Sequence, residues 1–396
     1  MTDGSIQHEV NLLADSARRF LEREFPLDEL RRPGIRYEDV PFTAYAARTA
    51  KMGWQALAVP ESHGGAGTGS EAVGALLLEM GRALMPSPFL GNLFGTWAIS
   101  AAGTEQQKDA LLPGVAAGEV RLAFAAGTPG PLIDEGHDMR TRLSGSDVLL
   151  SGTVEFVLEG RSADWFVVAV PEAGPSPARF HLVKARQSGV RLEPQPWRDM
   201  TRQMDRLVLT DARCSPMSDE AAASWPWIQD RILWALAADS AAGARSCLEM
   251  TLDYAKERCA FGRAIGSFQA IKHQLAELRG VVECAEALAG NAGETLSTRE
   301  LARVEAAMAK VYACDAYEQV AFRSIQIFGG IGFTWEARNH LYFKRAHSNG
   351  VLFGGSHFHK ERLLEELGYG CRQQQIGGMT AGQTPCERLR RPEAQT

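Results

Sequence analysis

The stretch Gln326-Ile-Phe-Gly-Gly-Ile-Gly-Phe-Thr-Trp-Glu336 sets one amide and three glycines in fixed register at the end of a helical run. Glycine lets backbone approach a ligand more closely than any residue with a Cβ allows. Glycine is also the usual residue where a helix closes. The two readings are compatible, and the spacing alone does not choose between them. Further on, Val351-Leu-Phe-Gly-Gly-Ser356 forms a second glycine-bearing loop.

Working outward, the 396-residue chain is long enough to bury a large core and to divide into two or three domains. Its composition is 45% hydrophobic and 23% charged, ordinary for a globular protein. A net charge of −6 and a pI near 5.9 argue against a general nucleic-acid binder. No apolar run reaches the roughly 18 residues needed for a membrane span. The N-terminus has neither a basic nor an apolar leader segment, which points to the cytoplasm. Seven cysteines without Cys-x-x-Cys spacing indicate reduced thiols rather than a disulfide framework. His357-Phe-His359 matches no zinc spacing, and no metal is expected.

Three blocks follow in order. Residues 1–120 read as an N-terminal helical domain, with stripes at Leu13, Ala17, Phe20 and Leu21 and at Ala75, Leu76, Leu78, Met80 and Ala83. Residues 121–215 read as a central antiparallel β domain. Its short β-rich runs are Arg121–Ala125, from Asp147, Asp164–Val170, Phe180–Lys184 and Asp205–Thr210, separated by Gly, Pro and Ser. Residues 216–368 read as a C-terminal four-helix bundle, with long helices over 227–257, 270–291 and 298–328. Residues 369–396, rich in Gln, Gly, Pro and Arg, lack any period and read as a mobile tail. The fold class is therefore α+β.

Four features together resemble the acyl-CoA dehydrogenase family across about residues 5 to 368. They are Val59-Pro-Glu-Ser-His-Gly-Gly-Ala-Gly67 with Leu78-Glu-Met-Gly-Arg-Ala-Leu84, the segment from Thr251 through Arg258-Cys-Ala-Phe-Gly-Arg to Gln269, the opening stretch, and the three-block order itself. The resemblance implies FAD as cofactor. It implies that Arg258, Phe261 and Gln269 reach FAD across a dimer interface, with Gln326, Gly329 and Gly330 on the adenine and pyrophosphate side and Ser356 where the family has threonine. Physically, a fixed guanidinium suits a pyrophosphate; the alternative for Arg258 is a surface ion pair with Glu257 or Asp253.

The family's reaction removes a proton α to a thioester and passes a hydride from the β carbon to the flavin. The base must be a carboxylate, best with its pKa raised toward neutrality. Most members carry it as glutamate in the loop that here reads Phe353-Gly354-Gly355-Ser356, and glycine accepts no proton. A minority carry it on the long helix after the β domain, just before an arginine. That place reads Gln229-Asp230-Arg231, which makes Asp230 the candidate base and Arg231 its support. The competing reading makes Asp230 a helix-start residue meeting the dipole, or a partner of Arg231 or Arg202. The family's ring-lining strands read here as Ala126-Gly-Thr-Pro-Gly130 and Phe156-Val-Leu-Glu159, with Leu158 replacing a hydroxyl residue.

These departures resemble an actinobacterial subgroup that forms heteromeric α2β2 enzymes, lacks the loop glutamate and acts on bulky CoA thioesters such as steroid side chains. The resemblance implies an acyl-CoA substrate, an electron-transferring flavoprotein as acceptor and a homo- or hetero-oligomer. Small residues at 354 and 355 are expected to widen the pocket mouth. Three functional readings stand: an active dehydrogenase, a non-catalytic partner subunit, and a related flavoprotein recruited to biosynthetic oxidation.

Overall fold

Helix-forming sequence fills the first third of the chain: α1 (Asp3–Glu24), α2 (Phe42–Ala50), α3 (Ser70–Arg82), α4 (Leu90–Ala102) and α5 (Glu105–Ala116), joined by short 3-10 turns. The structure is a computed structural model that describes residues 3–31, 35–86, 88–126, 139–145, 147–171, 178–218, 221–296 and 302–369. The tail from 370 onward lies outside the described residues, as does 127–130 of the expected ring-lining segment. Local chemistry explains the start of α5. The Thr104 hydroxyl accepts from the Gln107 N–H, and the Gln107 side chain accepts from the Thr104 N–H, which satisfies two otherwise free donors. Ala17, Phe20 and Leu21 on α1 are buried against the core, as are Leu76 and Met80 on α3; Leu78 instead faces outward.

The middle block is a sheet of β1 (Leu122–Ala125), β2 (Arg140–Ser144), β3 (Asp147–Leu158), β4 (Trp165–Pro171), β5 (Ala178–Lys184), β6 (Val190–Pro194) and β7 (Met204–Pro216). Its order is β1-β4-β5-β7-β3-β2, with β6 also paired to β7. All pairs are antiparallel except β1–β4, which is parallel. The sheet is thus mixed, because the chain leaves β1 and reaches β4 only after the β2–β3 hairpin. Its own small core includes Leu150, Val154, Phe166, Val168, Val183 and Leu207.

The last block holds α6 (Ala221–Glu257), a two-stranded hairpin β8 (Cys259–Ala260) and β9 (Arg263–Ala264), α7 (Gln269–Thr295), α8 (Ala302–Phe328), α9 (Asn339–Val351) and α10 (Ser356–Glu366). With 37 residues, α6 spans about 55 Å. Its middle is buried between α3 and α4 on one side and α7 and α8 on the other. One continuous apolar core therefore joins the N-terminal helices to the bundle.

A buried ionic knot locks the three blocks together. Arg345 on α9 reaches Asp199 Oδ2 at 3.1 Å and Asp239 Oδ1 at 3.0 Å, and donates to the Met85 and Thr201 carbonyls. Arg202 and Asn349 also bond to Asp239. Burial costs each of these charges heavily, and the mutual pairing offsets that cost.

Candidate active site

A cavity of about 1650 Å³ opens between the N-terminal helices and the bundle. Its walls include Trp97 and Ala101 of α4, Thr104 and Lys108 at the α5 start, and Trp227, Asp230 and Trp234 of α6. Asp230 and Trp234, four residues apart, share one helix face. Trp234 is fixed by its N–H on the Ala289 carbonyl and by close approach to Gly74 and Gly293, where a Cβ would sit 3.1 and 2.9 Å from the indole.

Asp230 is the tenth residue of α6, so it lies beyond the first turn, where capping and dipole effects act. The helix-start alternative fails because α6 begins at Ala221 rather than near Trp227. Neither expected arginine provides its close partner. Arg202 pairs with Asp239 at 3.0 Å, and Arg231 lies over the Trp227 ring at 3.5 Å while donating to the Leu296 carbonyl. The close cation is Arg362 of α10, with its Nη2 3.7 Å from Asp230 Oδ1. That oxygen is buried and has no hydrogen-bond partner among the described residues. Burial pushes the Asp230 pKa up to about 6, while Arg362, then Arg303 and Arg231, pull the other way. A carboxylate whose pKa is raised toward neutrality is better matched to accept a proton near pH 7.

The loop lacking glutamate is closed rather than open. Gly354 has φ +100°, and a Cβ there would lie 2.7 Å from both His359 Nε2 and Phe358 Cδ1. His359 is fully buried, with Nε2 2.9 Å from the Phe353 carbonyl oxygen. Buried Lys310 donates to the carbonyls of Asn349, Gly350 and Gly354. Gly354 and Gly355 do not line the cavity, so the expected widening at its mouth does not occur. His357 pairs with exposed Glu361, and the two histidines of this segment point to different surroundings. Among the described residues there is no cluster of three His, Cys, Asp or Glu side chains suited to a metal.

The residues expected to hold the cofactor lie at the far ends of α6 and α8 and at the start of α7. The Tyr254 ring stacks on Phe328 at 3.9 Å, which joins the end of α6 to the end of α8. Arg258 follows α6, Phe261 turns the β8–β9 hairpin and Gln269 opens α7, while Gln326, Gly329 and Gly330 close α8. Arg258 is exposed, and no side-chain ion pair holds it among the described residues; Asp253 pairs with Lys256 instead. Phe261 is 96% exposed with φ +53°. Gly329 has φ +67°, and the space beside Gly329 and Gly330 is open. A forked cation, an exposed ring and accessible backbone amides are the donor set a pyrophosphate and an adenine require. Ser356 does not join them. Its hydroxyl donates to Asp315, 11 residues before Gln326 and so about 16 Å up α8.

Sequence reasoning missed Arg362, which stands six residues beyond the loop with no motif around it. It also missed Glu159, a buried carboxylate with φ +63° that accepts from the Gly91 N–H at 2.7 Å. Burial raises its pKa to about 8.

Comparison with known proteins agrees with this architecture. The acyl-CoA dehydrogenase N-terminal domain profile matches residues 7–119, and the acyl-CoA dehydrogenase C-terminal domain profile matches residues 230–368. Acyl-CoA dehydrogenase IpdE2 of Mycolicibacterium smegmatis is 31% identical over 317 residues, covering 80% of this chain and 85% of that protein. Acyl-CoA dehydrogenase FadE34 of Mycobacterium tuberculosis is 35% identical over 314 residues, covering 78% of this chain and 40% of that protein. Among solved structures, a single-residue variant of the Tcur3481-Tcur3483 steroid ACAD superposes with a TM-score of 0.82 at 29% identity, covering 91% of this chain and 98% of that one. The fold, the site and these matches define a flavin-dependent oxidoreductase acting on CH–CH bonds. This chain belongs to the acyl-CoA dehydrogenase family, and its cofactor is FAD.

Proposed function

We propose that this chain desaturates a bulky CoA thioester, with Asp230 as the base that removes the α proton. The observation that carries the reading is a buried carboxylate whose oxygen has no hydrogen-bond partner among the described residues, in the wall of the large cavity. Bound FAD supplies the hydride acceptor for the β carbon. Arg258, Phe261, Gln269, Gln326, Gly329 and Gly330 hold the adenine and pyrophosphate portion, and Ser356 belongs to a separate portion of the site. Burial of the Asp230 side chain, 9% exposed, raises its proton affinity toward neutral. Trp97, Trp227 and Trp234 offer a broad aromatic wall to a ring-bearing acyl group.

Asp230 and the α6 end at Glu257 are 27 residues apart, about 40 Å along the helix, more than an extended dinucleotide spans. Each catalytic site therefore takes its adenine-side residues from another chain, in a homodimer or beside a sister subunit as in an α2β2 tetramer. The named pair in the Tcur3481-Tcur3483 structure and the ChsE4-ChsE5 complex of Mycobacterium tuberculosis favour the heteromer. The acceptor of the electrons is an electron-transferring flavoprotein. The reaction belongs in the cytoplasm, consistent with the unpaired thiols of Cys214, Cys247, Cys259, Cys284 and Cys314.

The test is single-turnover bleaching of the FAD-loaded protein by a ring-bearing acyl-CoA. Asp230→Asn is expected to slow bleaching by about 10³-fold or more. Bleaching at the original rate would remove Asp230 as base.

A further inference from the structure

The cation facing Asp230 belongs to neither family motif. It comes from α10, the helix that follows the loop without a glutamate. Arg362 is partly buried, with 15% of its side chain exposed beside 9% for Asp230, and its Nη1 also lacks a hydrogen-bond partner among the described residues. The nearest oxygen and nitrogen are 3.7 Å apart, beyond hydrogen-bond length but within ionic reach. The arrangement attracts the carboxylate without fastening it, so Asp230 stays free to turn toward a substrate.

We infer that Arg362 is a positioning residue that sets the proton affinity of Asp230, holding the carboxylate ionised in a wall that would otherwise neutralise it. The inference rests on Asp230 being the base. Of the charged groups facing Asp230, Arg362 and Glu366 come from α10, Arg303 from α8 and Arg231 from α6 itself, while Glu61, Glu105 and Lys108 lie across the cavity. Arg303 is engaged with Glu366 at 2.8 Å, Lys108 with Glu105 at 2.8 Å, and Arg231 with Trp227 and the Leu296 carbonyl. Arg362 is the largest of the cationic influences on Asp230.

When Asp230 takes the α proton, Arg362 loses the largest of the anionic influences on it and keeps only the weaker one of Glu366. The protonated intermediate is thereby disfavoured, and release of the proton is promoted before the next turnover.

The test combines two readouts on the full-length, FAD-loaded protein. In the first, ¹³C-carboxyl NMR follows the titration of Asp230, assigned by its absence in Asp230→Asn. Arg362→Gln should raise the midpoint by at least one pH unit and Arg362→Lys should restore most of it. In the second, the acid limb of kcat/KM should move upward in Arg362→Gln by the same amount. A midpoint unmoved in Arg362→Gln overturns the inference, as does a midpoint equally displaced in Arg362→Lys. If Asp230→Asn retains full turnover, the base reading fails while the NMR midpoint still judges the pairing on its own.

Discussion

A buried carboxylate that ionises does so against the preference of its surroundings, and Asp230 should show that conflict in its stability. Its pKa is raised from the ordinary carboxylate value to about 6. The folded state therefore binds more protons than the unfolded chain between about pH 4 and pH 6, and its contribution to stability is lost as pH rises through that window. The shift corresponds to about 1–3 kcal/mol at pH 7. Asp230→Asn should accordingly be more stable than the parent in denaturant melts at pH 7.5, with the gain shrinking toward pH 5. An Asn variant less stable at pH 7.5 would show that Asp230 serves structure. Sequence located Asp230 through its place before an arginine. It could not locate Arg362, because their meeting depends on how α10 packs against α6.

Among the elements, the loop over 352–356 shows why a missing side chain need not leave a space. The text Phe353-Gly354-Gly355 reads as an opening, yet His359 and Phe358 occupy the position a Cβ would claim. Gly354→Ala should cost about 1–3 kcal/mol, from crowding and from φ +100°, as measured by urea unfolding. A neutral result would mean the loop relaxes easily. The long strand β7 and the weak strands β2 and β6 mark the limit of pattern reading. All of β2 is exposed, β6 mixes charge with partial burial, and β7 continues past Thr210 through Asp211 at φ +48°. None of these displays the clean alternation that identifies a half-buried strand. The helices were more legible, since their apolar periods survive in tertiary packing. On α9, Arg345→Met should destabilise by about 3–5 kcal/mol, because Asp199 and Asp239 would remain buried without their shared cation. Thermal melting would check this, and a shift of only a degree or two would deny the knot its role.

At the scale of the whole molecule, the helix–sheet–helix order was readable because each block has its own hydrophobic period, whereas the proposed division of one site between chains came only from the family resemblance of the segment around Arg258 and not from any residue pattern. The exposed Phe261 and the distance from Asp230 to Arg258 are the physical grounds for that proposal. Burying one such ring is worth about 1.5–3 kcal/mol, and α6 is too long for one dinucleotide to join its two ends. If two copies of this chain complete the site, complementation follows from symmetry. A chain carrying Arg258→Ala keeps Asp230, and a chain carrying Asp230→Asn keeps Arg258. Unfolded together and refolded with FAD in equal amounts, half the dimers are mixed, and each mixed dimer holds one site with both native residues. Activity should recover to about a quarter of the parent's, although each variant alone is nearly inactive. Full absence of recovery, with mixed dimers demonstrated by differential tagging, would place both residues in the same chain's site and overturn the shared arrangement. Where mixed dimers do not form because the natural partner is a sister chain, the same pair of variants assembled with that chain should lose FAD retention for Arg258→Ala and retain it for Asp230→Asn, which separates cofactor binding at one end of α6 from proton abstraction at the other.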